Sequence, residues 1–286
     1  MLALILHYLV IIAIFVILTL SLNLIIGFTG QVSLGHAAFF GIGAYTSAIL
    51  LIKCSAPFPL ALLAAAFLSG IAGVLLGIPT LRLKDDYLAI VTLGFGVILV
   101  ILALNVPEQF MGGTDGLSGI PGPILFGKKI KSKFEFVLIA WFLVFFTIFF
   151  MYRIQNSRIG RALNAIRDSD ITAQVMGINS TKYKVMAFGI GSAFAGIAGA
   201  LYGSYIHYIQ PHVFDLSQSI KILCMLVLGG MGSIPGSIIG AVTLSIIPEL
   251  LRKIPAYYVT LVYGLLLIII IIIRPQGIMG KFKIKR

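Results

Sequence analysis

The chain runs 52 residues before its first Asp, Glu, Lys or Arg, which is Lys53. A helix needs about 20 apolar residues to cross a hydrocarbon layer about 30 Å thick. The opening run is therefore too long for one crossing and sufficient for two. It has no basic start and simply continues, so it is expected to be membrane segment rather than a cleaved signal. Only 10% of the chain is charged, against about one quarter in a soluble domain. The fold class that follows is all-α: a polytopic membrane protein, one domain over residues 1–286, with about eight transmembrane helices, Gly-broken in each half.

Apolar runs place spans near 3–26, 36–52, 58–79, 87–104, 135–152, 183–206 and 257–273, with a broken one across 217–250. The net charge of +12 sits mostly in loops and in the tail. That distribution fits the positive-inside rule and gives no reason to expect a nucleic-acid partner. Arg82 and Lys84, the stretch 153–184 and the tail Arg274–Arg286 are read as cytoplasmic, so the C-terminus is cytoplasmic too. The Gly- and Pro-rich loop 105–133 falls outside, although Lys128, Lys129, Lys131 and Lys133 weigh mildly against that side. With both 153–184 and the tail inside, 217–250 either crosses twice or dips in and returns.

The polar stretch 153–184 also reads as a helical hairpin. Ser157 can cap a helix whose apolar positions Ile159, Ala162, Leu163 and Ile166 fall on one face. Asp168 or Ser169 can cap a second helix that stops at Gly177. A solvated connector needs no apolar stripe. The stripe packs either on the protein's own helix ends or against a soluble cytoplasmic partner.

Glycines interrupt the spans twice, at Gly27–Gly43 and at Gly229–Gly236. Broken backbone is tolerated at membrane depth only inside protein or along a cavity. Two such breaks in corresponding halves point to a translocation pathway. Gly30-Gln-Val-Ser33 can be laid on Gly230-Met-Gly-Ser233, which suggests an internal repeat; close helix packing through small residues explains the same glycines. Around the breaks, Gln31, Ser33, His36, Tyr45, Gly230 and Ser233 are the pathway candidates. His36 fits a structural hydrogen-bond partner or a solute ligand, and the polar groups of Gln31, Ser33 and Ser233 fit solute contacts or helix caps.

Other motifs fail. Gly122–Lys129 nearly fits a phosphate-binding loop, but Lys129 stands where a hydroxyl must hold magnesium. Asn179-Ser-Thr fits a glycosylation sequon on the wrong side. Cys54 and Cys224 have no metal spacing and are not expected to pair. All nine acids lie in loops or near span ends, which counts against an ion-coupled carrier.

Several stretches, in order, resemble the M-type permease subunits of branched-chain amino acid ABC importers. They are Gly27-FTGQVSLGHAAFFGIGA-Tyr45, Asp86-YLAIVTL-Gly94, Gly112-GTDGLSGI-Pro121, Gly160-RALNAI-Arg167, Ala173-QVMGI-Asn179, Leu228-GGMGSIP-Gly236 and Arg274-PQGI-Met279. The resemblance implies a division of labour. This subunit and a second, H-type permease form the pathway in the cell membrane, an external binding protein captures the solute, and two cytoplasmic ATPases bind ATP-Mg. The chain itself would hold no cofactor and be no enzyme. The stretch 153–184 becomes a coupling loop seated on an ATPase, with Arg161, Ala162, Arg167, Asp168, Ala173 and Gly177 as coupling residues. Where many importers carry Glu-Ala-Ala, this chain has Ile171-Thr172-Ala173. Thr114 and Asp115 become candidate contacts for the binding protein, unless their loop is a floppy linker. The alternatives are a urea or amide ABC permease, an ion-coupled secondary carrier, and a channel filtered by the breaks.

Overall fold

The computed structural model describes residues 2–80, 85–107, 111–125, 128–130, 132–250, 264–265, 268 and 277–279. Within them the chain is helical almost throughout. The helices are α1 (Leu2–Leu22), α2 (His36–Lys53), α3 (Phe58–Thr80), α4 (Asp85–Asn105), α5 (Lys133–Gln155), α6 (Arg158–Asp168), α7 (Asp170–Val175), α8 (Ser180–Ile206), α9 (Leu216–Gly229) and α10 (Ile234–Leu250). Short polar residues start several of them. Ser132, Ser157, Ser169, Asn179 and Asp215 each accept a hydrogen bond from a backbone N–H of the first turn.

Among the described residues seven segments are long and apolar enough to cross a membrane: Ala3–Gly27, α2, Phe58–Ile78, Tyr87–Asn105, α5, α8 and Pro211–Gly229. A shorter apolar stretch, Ile234–Ile247, follows. Of the expected span at 257–273 only residues 264–265 and 268 are described, so the span as a whole lies outside what the structure covers. Burial grades the bundle: 89% of the central window of α1 is buried, against 17% for α4, so α1 is the axis and α4 a flank. Around α1 stand α5, α8, α9 and α10, while α2 and α3 pack on α8. The outward faces are apolar, with Phe67, Phe142, Phe145 and Phe149 all exposed. A water-facing surface would not carry them; a lipid-facing one does.

Small residues set the closest contacts. A Cβ on Gly43 of α2 would lie 2.2 Å from the Gly196 carbonyl of α8, so the two backbones touch. Gly229 and Gly236 do the same for α9 and α10, and Gly240 meets Met225, which makes that pair an antiparallel hairpin. The broken segment 217–250 thus resolves into two helices turning at Gly230–Ser233. At 1.5 Å per residue, α10 is about 26 Å long and ends far from that tip. Gly277–Met279 nonetheless lie back at the tip, where Ile278 and Met279 donate to the carbonyls of Leu228 and Gly229.

The helix ends form two poles. At one, the loop between α4 and α5 is tied to the bundle: β1 (Leu117–Ser118) pairs antiparallel with a strand at Tyr208–Ile209, and Tyr208 donates to the Asp115 carbonyl at 2.7 Å. Ile124–Leu125 pairs antiparallel with Lys128–Lys129, Ile124 opposite Lys129, a strand pair and not the loop-to-helix turn of a phosphate site. His7 of α1 meets Tyr205 at 2.8 Å, so the start of α1 is at this pole. The hairpin α6–α7 and the Gly230–Ser233 tip make the other.

Candidate functional site

The site grows from the end of α1. The helix widens into a π-turn over Asn23–Gly27, all of it buried. The connector 28–35 follows, with Gly30 at φ +78°. It rests on α4: Leu34 donates to Thr92 Oγ1 at 3.0 Å, and the first turn of α2 donates from Ala37 to Ser219 of α9 at 3.1 Å. The second break faces it. Asn23 Oδ1 accepts from the Gly232 amide at 2.8 Å, and its Nδ2 donates to the Ser233 carbonyl at 3.3 Å. Gly230 and Gly232 have φ of +113° and +84°, a conformation that side chains with a Cβ resist. The two glycine breaks, about 200 residues apart in sequence, therefore form one junction.

The pathway candidates divide around it. Gln31 and Ser33 are buried in the connector, and Gly230 and Ser233 make the tip, where Ser233 Oγ caps α10 through Gly236. His36 is fully buried and lies 2.7 Å from Ser21 Oγ through Nε2. Tyr45 stands farther along α2, edge-on to Phe214. Among the described residues Ser33 Oγ, His36 Nδ1 and the Tyr45 hydroxyl are buried without a hydrogen-bond partner, which is uncommon and marks polar capacity not spent on the fold. The set is thus a line of groups along α2 and its lead-in, not one pocket.

Lys221 escaped the sequence reading. It sits in the middle of Pro211–Gly229, its Nζ 4.3 Å from the centroid of the Phe15 ring of α1. Its signal was present: it is the one Lys or Arg between Lys184 and Arg252. An ionisable side chain at such depth is a functional candidate by default.

The hairpin is built as its caps dictate. Ser157 accepts from Ile159 and Gly160, and Ser169, rather than Asp168, accepts from Thr172. Gly177, at φ +82°, closes α7: its amide donates to Gln174, and that of Ile178 to Ala173, both at 2.9 Å. The stripe of α6 is spent inward. Gly160, Ala162, Leu163 and Ile166 are buried against the bundle, and Gly160 abuts the carbonyls that end α5. Ala173 is buried as well, so Ala162 and Ala173 pack the hairpin, while Arg161 and Asp168 are exposed. The free apolar surface belongs to α7 and its C-cap, where Ile171, Val175 and Met176 are 78%, 81% and 77% exposed. Lys184 ties α7 to α8 by an ion pair with Asp170 at 3.0 Å. Burial raises the Asp170 pKa, but the Lys184 ammonium and hydrogen bonds outweigh it and hold the carboxyl below its ordinary value. At the opposite pole Thr114 and Asp115 are exposed on a single 3-10 turn.

A helical bundle with an apolar coat, in which two glycine breaks meet beside a basic hairpin at one pole, is a multi-pass membrane transport protein in its architecture. The chain belongs to the family described as branched-chain amino acid transport system / permease component, whose model matches residues 4–271. It is 39% identical over 289 aligned residues to the high-affinity branched-chain amino acid transport system permease protein LivM of Salmonella typhimurium, covering 93% of this chain and 68% of that one. Identity to the LivM protein of Escherichia coli is 37% with the same coverage. The LivH permease of Salmonella typhimurium is 26% identical over 293 residues, covering 95% of this chain and 93% of that one. No solved structure matches the chain.

Proposed function

We propose that this chain is the M-type permease subunit of an ATP-driven importer for branched-chain amino acids. It forms the pathway with a second, H-type permease, receives solute from an external binding protein through the loop that carries Thr114 and Asp115, and is driven by two cytoplasmic ATPases that bind ATP-Mg. The family and the names of its relatives support the solute and the pairing. The observation that carries the coupling is the patch Ile171, Val175 and Met176: three apolar side chains, more than three-quarters exposed, on a six-residue helix and its C-cap at the basic pole. Lipid does not reach a hairpin bearing Arg158, Arg161 and Arg167 and flanked by Arg153, Lys182 and Lys184, so the patch fits a soluble partner's groove. Under this reading the α6–α7 pole is cytoplasmic, the C-terminus joins it through Gly277–Met279, and the start of α1 is external.

Solute recognition falls to the buried polar line Gln31, Ser33, His36 and Tyr45 beside the tip at Gly230 and Ser233. Lys221 adds a cation, which an amino-acid carboxylate uses and neutral urea does not. The test is uptake of labelled leucine, isoleucine, valine and urea by cells with and without this chain, the partner subunits present. Loss of the three amino acids alone is the expected result. Loss of urea uptake instead keeps the machine and overturns the solute.

A further inference from the structure

The junction of the two breaks is touched by one side chain from the hairpin. Arg167 lies in the last turn of α6, where a cation suits the helix dipole. Its Nη1 donates to the Gly27 carbonyl, an acceptor left over at the end of the π-turn. A Cβ on Gly232 would lie 2.3 Å from the same Nη1, and one on Gly30 would lie 3.4 Å from Arg167 Cγ. Asn23 completes the ring by its two bonds to Gly232 and Ser233. The guanidinium and its stem therefore bear on the end of α1, on the connector and on the α9–α10 tip together.

We propose that Arg167 is a positioning residue that carries movement of the α6–α7 hairpin to both glycine breaks at once. This rests on the importer reading above. The helix α6 is a rod of about 16 Å, anchored by its buried stripe and joined to α7 through Ser169 alone. A displacement of α7 reaches the junction through the last turn of that rod, where Arg167 sits. With Arg167 in place its guanidinium fills the space between the Gly27 carbonyl and Gly232; when the last turn of α6 shifts, the Gly27 carbonyl loses its donor and the two breaks are left linked through Asn23, free to shift against each other. Glycine at 30 and 232 leaves room for the stem and the guanidinium.

The test uses the assembled importer in proteoliposomes, with ATP hydrolysis and leucine uptake measured on the same preparation. In Arg167→Ala, the ATP hydrolysed per leucine taken up is expected to rise about tenfold, the scale on which coupling residues act. A purely structural defect lowers both quantities together and leaves the ratio unchanged, which overturns the proposal. If Arg167→Ala does not assemble, Gly232→Ala is read by the same ratio, since its Cβ displaces the guanidinium without removing the charge. An unchanged ratio in the assembled variants, with wild-type uptake driven by ATP, overturns the clasp alone. Absence of ATP-driven uptake by the wild type overturns the importer reading and the clasp with it.

Discussion

Asn23 is buried to 1% exposure and uses both ends of its amide on the opposing break. Alanine there leaves the Gly232 amide and the Ser233 carbonyl without that partner. A buried unpaired group costs about 1–3 kcal/mol. Asn23→Ala is therefore expected to lower the thermal stability of the detergent-solubilised protein, measured by its unfolding midpoint; an unchanged midpoint contradicts the junction. Lys221 is a different case. Its ammonium lies over the Phe15 ring, a contact worth about 0.5–2 kcal/mol. Lys221→Met keeps the apolar stem and removes the charge. Leucine uptake is expected to fall by about tenfold with assembly intact, the loss of roughly one charged hydrogen bond to the solute. Uptake equal to wild type would remove Lys221 from the pathway.

At the scale of elements, α6 and α7 do different work. The stripe of α6 fastens the hairpin to the bundle, and α7 presents the patch. Glutamate at Ile171, Val175 and Met176 together should leave insertion unchanged and abolish ATP-driven uptake; the two are separated by blotting membranes and measuring transport on the same cells. A bulky charged residue at Ala173 or Gly177 acts through the fold of α7, because Ala173 is buried and Gly177 holds a left-handed turn. The Lys184–Asp170 tie sets a pH dependence. The folded carboxyl has a pKa below its ordinary 3.8, so its contribution is present above that value and is lost as pH falls through the folded pKa. Backbone exchange in α7 should be flat from neutral pH down to about 4, after correction for intrinsic rates, and Asp170→Asn should speed it modestly, since exposed pairs contribute about 0.2–1 kcal/mol.

Much of this hairpin was legible in the sequence, because caps, stripe and stop are local signals: Ser157, the Ile159–Ile166 spacing and Gly177 all sit where the helices begin and end. The direction of the stripe was not legible, since a period of 3.6 shows that a face is buried but not against what. The glycine breaks were visible as composition. Their meeting was invisible, because contacts between Asn23 and Gly232 depend on how α1 and the α9–α10 hairpin pack. The π-turn over Asn23–Gly27 has no sequence mark distinct from an ordinary helix end.

For the whole molecule, the two poles fix an orientation that native cysteines can report. Cys54 is exposed beside the loop pole and Cys224 is buried. A membrane-impermeant maleimide added to intact cells should label Cys54 alone, and a cysteine placed at Arg161 should react only after the membrane is opened. The reverse pattern would invert the molecule and remove α7 from any cytoplasmic partner. The most direct measurement of transport coupling is leucine accumulation by proteoliposomes holding this chain with its partner permease, ATPases and binding protein. Accumulation should require ATP on the side of α7 and should survive collapse of the ion gradients. Accumulation that follows an ion gradient and ignores ATP would contradict the importer and the role given to the α6–α7 hairpin.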